Sequence, residues 1–280
     1  MRHYPRLTIS MFLLLCVGGT IRAENKALFV AVPNTGFTGL PSMEKSLSVV
    51  AAAFGRYVDF ERRNLRKVHE ADATKVRIKA EIEGWLRDGV SERDLVVVYL
   101  AGHGYVSHEL GGKAEYCFWC YSEHNLKTIA ELLSREEIVA LMKEIPTSKK
   151  LLIIDSCGSG GFLSDASESR RSLGASDIVR GLEGRAPNDL DFSVMVSTRD
   201  IYQDAWFSGG PVFTDYLVQV LKRRSWRLGV FDTEELSGEL RRLMDADLRP
   251  GIRPQDALDF GPAFFKVVLK REALPPFVIY

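Results

Sequence analysis

Two short stretches hold residues that could do nucleophilic chemistry together. LLIIDSCGSGG, residues 151–161, closes an apolar run with Asp155, Ser156 and Cys157 and then turns on Gly158, Gly160 and Gly161. LVVVYLAGHG, residues 95–104, closes a second apolar run with Gly102, His103 and Gly104. A cysteine beside a histidine is a nucleophile–base pair. The free thiol titrates near ~8.5, and a neighbouring imidazole raises the fraction present as the attacking thiolate. Either residue alone says little, since cysteine is among the most often buried residue types. Their matched contexts carry the reading.

Such a pair needs elements that bring it together. Neither Leu151–Ile154 nor Leu95–Val98 shows polar alternation, the pattern of a strand covered on both faces of a parallel sheet. Ligands and chemistry collect at the carboxyl ends of such strands, where the loops open a crevice. If the two strands lie side by side, His103 and Cys157 project from one sheet edge. The following glycines let backbone approach a substrate without a Cβ in the way. The backbone N–H groups of Cys157 and Gly104 are then natural oxyanion donors. No third catalytic side chain is identifiable. Asp155, two positions before the cysteine, can line the pocket beside the scissile bond and pair there with Arg or Lys. Asp200 or Asp204, after a strand at Phe192–Val196, could complete an acidic pocket, although Arg199 could oppose it. After the first strand the nearest acid is Glu44.

These motifs resemble the caspase family of cysteine peptidases, and are most similar to its bacterial metacaspase-like members. The family places Gly-His-Gly after one apolar strand and, some fifty residues later, Asp-x-Cys-x-Ser-Gly after another. Here these are Gly102-His103-Gly104 and Asp155-Ser156-Cys157-Gly158-Ser159-Gly160. Pro211-Val212-Phe213-Thr214, followed by a helical pattern, is similar to the family's Gly-x-Phe-Thr segment, and the likeness spans roughly residues 26–270. Ala101 departs from it, standing where relatives usually carry Ser.

The resemblance implies a caspase-like three-layer α/β sandwich, with a mostly parallel central sheet of about six strands and helices on both faces. It also implies a cysteine endopeptidase acting through a thioester. Asp at the position of Asp155 goes with cleavage after Arg or Lys, whereas the relatives that cut after Asp carry Gln there. The polar loop 163–190, with Arg170, Arg171, Arg180 and Arg185, corresponds to a linker that is often self-cleaved. No metal or cofactor is expected, and the sequence leaves calcium dependence open. Two alternatives stand beside this reading: a catalytically silent scaffold module on the same fold, or a peptidase with non-basic P1 preference. A cysteine phosphatase is excluded, because the arginine it needs six positions after the nucleophile is Leu163.

The rest of the chain supplies the frame. Residues 1–23 carry Arg2, Arg6, an apolar run and Ala23, the form of a secretory signal and short for a membrane span. Residues 24–280 are then expected to form one domain, exported to the periplasm or secreted from a bacterium, with no stable membrane span after cleavage; an uncleaved N-terminal anchor is the alternative reading of residues 1–23. Cys16 follows the bulky Leu15, which argues against lipidation. Losing Arg2, Arg6 and Arg22 leaves 34 basic residues against 37 acidic ones, so the mature chain is near neutral. Without a basic stripe, nucleic acid is not an expected partner; a protein or peptide substrate is. The oligomeric state cannot be read.

Strands are expected at Ala27–Val32, Leu65–Val68 and Ala263–Leu269, and helices at about Ser42–Phe54, from Asp72 or Thr74, from Ser134, at Phe213–Arg223 and at Thr233–Met244. Cys117 and Cys120 form a C-x-x-C in an aromatic, extended ribbon. A redox pair, half a zinc site with His108 or His124, and plain packing all fit the spacing. On a strand, positions i and i+3 face opposite ways, which favours packing.

Overall fold

Apolar runs without alternation require cover on both sides, and the chain supplies it by alternating them with amphipathic helices. The computed structural model describes residues 24–32, 43–58, 60–107, 115–122, 129–163, 190–198, 206–207, 210–224, 230–246, 258–260 and 266–268. In chain order these form β1 (Lys26–Ala31), α1 (Met43–Tyr57), β2 (Leu65–His69), and α2 (Lys75–Ala80) with a π-helical continuation, Glu81–Leu86. Next come β3 (Val96–Gly102), β4 (Gly104–Ser107), β5 (Glu115–Trp119), β6 (Leu132–Ser134), α3 (Arg135–Lys143), β7 (Lys150–Ser156) and β8 (Ser193–Val196). The remaining elements are β9 (Trp206–Phe207), β10 (Gly210–Pro211), α4 (Val212–Arg224), β11 (Val230–Asp232), α5 (Thr233–Asp245), β12 (Leu258–Phe260) and β13 (Lys266–Val268).

The central sheet has the order β12-β8-β7-β3-β1-β2. Five strands are parallel, and β12 runs antiparallel to β8 at one edge. This is the mostly parallel six-stranded sheet expected above. Its period of two splits the core. Phe29, Val97, Tyr99, Leu151 and Ile153 face α1, α4 and α5, while Leu28, Val98, Leu100, Leu152 and Ile154 face α2 and α3. Each large side chain so enclosed contributes roughly 1.5–3 kcal/mol. On α1 the buried positions Met43, Leu47, Val50 and Phe54 follow the i, i+3/i+4 spacing of one helical face.

Local chemistry fixes several boundaries. Thr74, not Asp72, caps α2: its hydroxyl accepts from Arg77 N at 3.2 Å. Ser134 caps α3 through a capping box, accepting from Glu137 N at 3.2 Å while the Glu137 carboxylate accepts from Ser134 N at 3.1 Å. Glu137 also pairs with Lys75 at 2.8 Å and so ties α3 to α2.

Two expectations need refinement. The ribbon carrying Cys117 and Cys120 is the centre of a separate antiparallel sheet, β4-β5-β6, because β4 and β6 pair with β5 on its two sides. The last expected strand, at Ala263–Leu269, contains β13, but this pairs with β11; the edge of the central sheet is closed instead by β12. Among the described residues, no helix is long and apolar enough to cross a membrane. Residues 1–23 and most of the 163–190 loop lie outside the described residues.

Replacing the α3 cap, Ser134→Ala, is expected to lower stability by about 1 kcal/mol. Urea unfolding measures this, and an unchanged midpoint would show that the Lys75–Glu137 tie alone holds the helix start.

Candidate active site

Parallel pairing between β3 and β7 runs from Val96–Lys150 to Gly102–Ser156. The residues that follow the two strands are His103 and Cys157, so the register brings both to the same carboxyl edge, where each is partly exposed. After Cys157 the chain turns sharply. Gly158 has φ +63°, a backbone state that glycine enters at no steric cost, and Ser159–Phe162 follow as one 3₁₀ turn.

The end of β8 clamps this turn with hydroxyl groups. Ser197 Oγ accepts from Ser156 N at 3.1 Å and donates to Ser156 O at 3.3 Å. Thr198 Oγ1 accepts from Gly160 N at 3.2 Å and lies 3.0 Å from Ser159 Oγ. Neither Ser197 nor Thr198 was singled out from the sequence, where they read only as polar residues after a strand.

Backbone direction follows from the same ladder. In a parallel strand a residue's N–H and C=O point to the same neighbour and alternate along the chain. Ser156 is held on the β8 side by Ser197, so Cys157 N–H is directed to the β3 side, towards Gly104. Across β4 and β5, Trp119 N donates to His103 O at 2.9 Å, and Gly104 stands opposite Phe118 in the following, non-hydrogen-bonded position. Gly104 N–H therefore points away from β5. The Cys157 amide is thus turned from β7 to the β3 side, and the Gly104 amide away from β5. Gly104 also fits where no other residue could: a Cβ there would stand 1.9 Å from Cys157 O and 2.6 Å from Ser156 Oγ. The His103 ring meets Trp119 edge-on, with centroids 6.1 Å apart.

Asp155 lies on the same face of β7 as Cys157, two residues earlier, and is fully buried. Thr214, in the first turn of α4, donates to Asp155 Oδ2 at 2.5 Å, and Tyr99 OH lies 2.5 Å from Thr214 Oγ1. Among the described residues, Asp155 Oδ1 has no hydrogen-bond partner. Burial pushes the Asp155 carboxyl up to about 6, against the opposing hydrogen bonds of Thr214 and Tyr99 to its Oδ2. The Phe213-Thr214 motif thus gains a physical meaning that its sequence did not reveal: it delivers a hydroxyl to this carboxylate. Asp200 and Asp204 lie outside the described residues.

Other candidates fall elsewhere. Glu44 is exposed at the start of α1, beside β2 and so separated from β7 by two strands, about 14 Å at ordinary strand spacing. With His69 and Glu70 it brings donor atoms within 4.8 Å of one another, which makes those three the residues most able to hold a cation among those described. Cys117 packs with Trp119 and Leu132, and Cys120 points into the core beneath the opposite face of β5. Neither is an accessible thiolate. Cys117 is fully buried, and burial pushes the Cys120 thiol up to about 12. The three described cysteines are unbridged, and His108 and His124 lie outside the described residues.

A raised carboxyl pKa has a definite sign. The folded chain holds the Asp155 proton where the unfolded chain, titrating near ~4, has lost it. The favourable contribution is present below ~4 and lost as pH rises to about 6. The loss amounts to about 3 kcal/mol. Asp155→Asn is therefore expected to raise the melting temperature at pH 8 and leave it nearly unchanged at about pH 3.5, below the unfolded value; equal shifts at both would show that no lone charge is buried there. Gly104→Ala is expected to abolish the site geometry outright, since the atom it meets is backbone. Loss of Cys157 alkylation in a folded variant would register it.

Comparison with known proteins places this geometry. No match is found among curated proteins. Among solved structures, protein GSU0716 from Geobacter sulfurreducens is similar over 90% of this chain and 98% of its own, with 16% sequence identity and a TM-score of 0.55. That likeness concerns the fold. The family model described as "Caspase domain" matches residues 34–256, a span that includes His103, Cys157, Asp155 and Thr214. This chain belongs to the caspase family of cysteine-type peptidases.

Proposed function

We propose that the protein is a cysteine endopeptidase, of the metacaspase-like kind, that cleaves after Arg or Lys. The observation that supports the peptidase reading is the register of β3 against β7, which brings the residues that follow the two strands, His103 and Cys157, to the same sheet edge. Cys157 sulfur attacks the scissile carbonyl carbon, and the oxyanion is received by the Gly104 and Cys157 N–H groups. His103 takes the thiol proton and delivers it to the leaving amine; water then hydrolyses the thioester with His103 as base.

The basic preference rests on Asp155. A P1 side chain running along β7 from Cys157 towards Asp155 crosses two residues of strand, about 6.6 Å, which suits a long side chain. At the end waits a buried carboxylate oxygen that has no hydrogen-bond partner among the described residues. A guanidinium or ammonium group there would gain a charge-assisted hydrogen bond in a desolvated setting. Processing within the 163–190 loop, at Arg170, Arg171, Arg180 or Arg185, and export after loss of residues 1–23 complete the proposal; both rest on the sequence alone.

The test is hydrolysis of fluorogenic peptides with Arg, Lys, citrulline, Asp, Asn or Ala at P1, beside Cys157→Ala. Turnover of the Arg and Lys peptides, lost in the variant, is the expected result. Since kcat/KM reports the free enzyme, its value for Arg peptides should fall about tenfold per pH unit below about 6, as Asp155 protonates. Asp155→Asn should cost those peptides ~100-fold or more. Preference for Asp or Asn would overturn the role given to Asp155 while keeping the enzyme; no Cys157-dependent turnover of any peptide, with or without calcium, would overturn the peptidase reading in favour of a scaffold.

A further inference from the structure

The aromatic ribbon between the two motifs has no part in the chemistry described so far, yet its strand β5 reaches the nucleophile. Tyr116 is buried, and its hydroxyl shares a 2.7 Å hydrogen bond with Ser156 Oγ, also buried. Ser156 immediately precedes Cys157, and its Oγ also lies 3.4 Å from Cys157 O as a donor. The Tyr116 ring meets Phe162, at the end of the turn after Cys157, edge-on with centroids 5.9 Å apart. One side chain therefore touches the chain before and after the nucleophile.

The same hydroxyl pair forms the floor under Gly104. A Cβ at Gly104 would stand 2.6 Å from Ser156 Oγ and 3.0 Å from Tyr116 Cε2, so the Gly104 backbone rests directly on the pair. Ser197 fixes the Ser156 backbone from the β8 side, and Tyr116 fixes its side chain from β5. Between them the planar peptide leading to Cys157 has little freedom to rotate. The spacing of the Gly104 and Cys157 amides depends on it.

We propose that Tyr116 and Ser156 are a positioning pair for the oxyanion site: their shared hydrogen bond sets the distance and direction of the Gly104 and Cys157 N–H groups without either hydroxyl touching substrate. This rests on the peptidase reading of the site and adds to it the reason β5 crosses beneath the dyad. The pair acts on the step in which the carbonyl oxygen gains charge, and leaves thiolate formation alone. A misplacement of ~1 Å in such a site can cost ~100-fold in rate.

The experiment compares wild type, Tyr116→Phe, Ser156→Ala and the double variant on whichever P1 peptide wild type cleaves in a Cys157-dependent way. Each single variant is expected to lower kcat by ~10- to 100-fold with KM within about twofold, and the double variant to match the singles instead of multiplying them. A peptide aldehyde, whose adduct with Cys157 places an oxygen at the same amides, should lose affinity by a similar factor. Iodoacetamide alkylation of Cys157, which forms no oxyanion, should keep its wild-type rate and pH profile. Circular dichroism melts identify a variant that fails to fold, and Ser156→Ala tests the bond from its other end. A kcat within twofold of wild type in a folded variant overturns the pairing, as does a fall in alkylation that parallels the fall in kcat. If wild type itself shows no Cys157-dependent turnover, the peptidase reading fails and this proposal with it, an outcome distinct from active wild type with unimpaired variants.

Discussion

Seven residue pairs lock β3 to β7, and a slip of one would send every side chain of either strand to the opposite face. Such a slip is strongly opposed, because Tyr99, Leu151 and Ile153 are enclosed on one side of the sheet and Val98, Leu152 and Ile154 on the other. The hydrophobic effect thereby fixes a distance it has no direct interest in, that between His103 and Cys157. Parallel pairing also sends both strand ends to the same edge, which brings His103 and Cys157, 54 positions apart in the sequence, to one side of the sheet.

Polar groups then work in an environment the core has made dry. Asp155 lies two residues before Cys157, inside the core, and among the described residues hydrogen bonds reach its Oδ2 alone. A carboxylate so placed costs stability when ionised. Under the proposed basic specificity, a cation brought by the substrate would offset that cost. By contrast, the buried hydroxyls of Ser156, Ser159, Ser197 and Thr198 are all hydrogen-bonded, and they hold the nucleophile turn rigid.

The small sheet β4-β5-β6 connects these parts. It begins at Gly104, one residue past His103, and returns through Tyr116 to the strand that bears Cys157. Phe118 and Cys120 root it in the core, which accounts for the apolar character of a segment whose paired cysteines suggest redox or metal chemistry when met in isolation.

Much of this was legible in the linear chain. Unbroken apolar runs announce buried parallel strands, helical spacing announces their cover, and Gly102-His103-Gly104 with Asp155-Ser156-Cys157 marks the edge where they end, because each of these signals is local and periodic. The sequence by itself determined the fold class, the caspase-family resemblance and the candidate nucleophile and base. Only the tertiary structure decided what surrounds them: that Thr214 and Tyr99 attend Asp155, that Ser197 and Thr198 clamp the turn, that Tyr116 reaches Ser156, and that β12 rather than the last strand closes the sheet. Those contacts join residues 38 to 115 positions apart, and hydroxyl side chains carry no periodic signature. Their partners are chosen by the crossing of strands and helices in space.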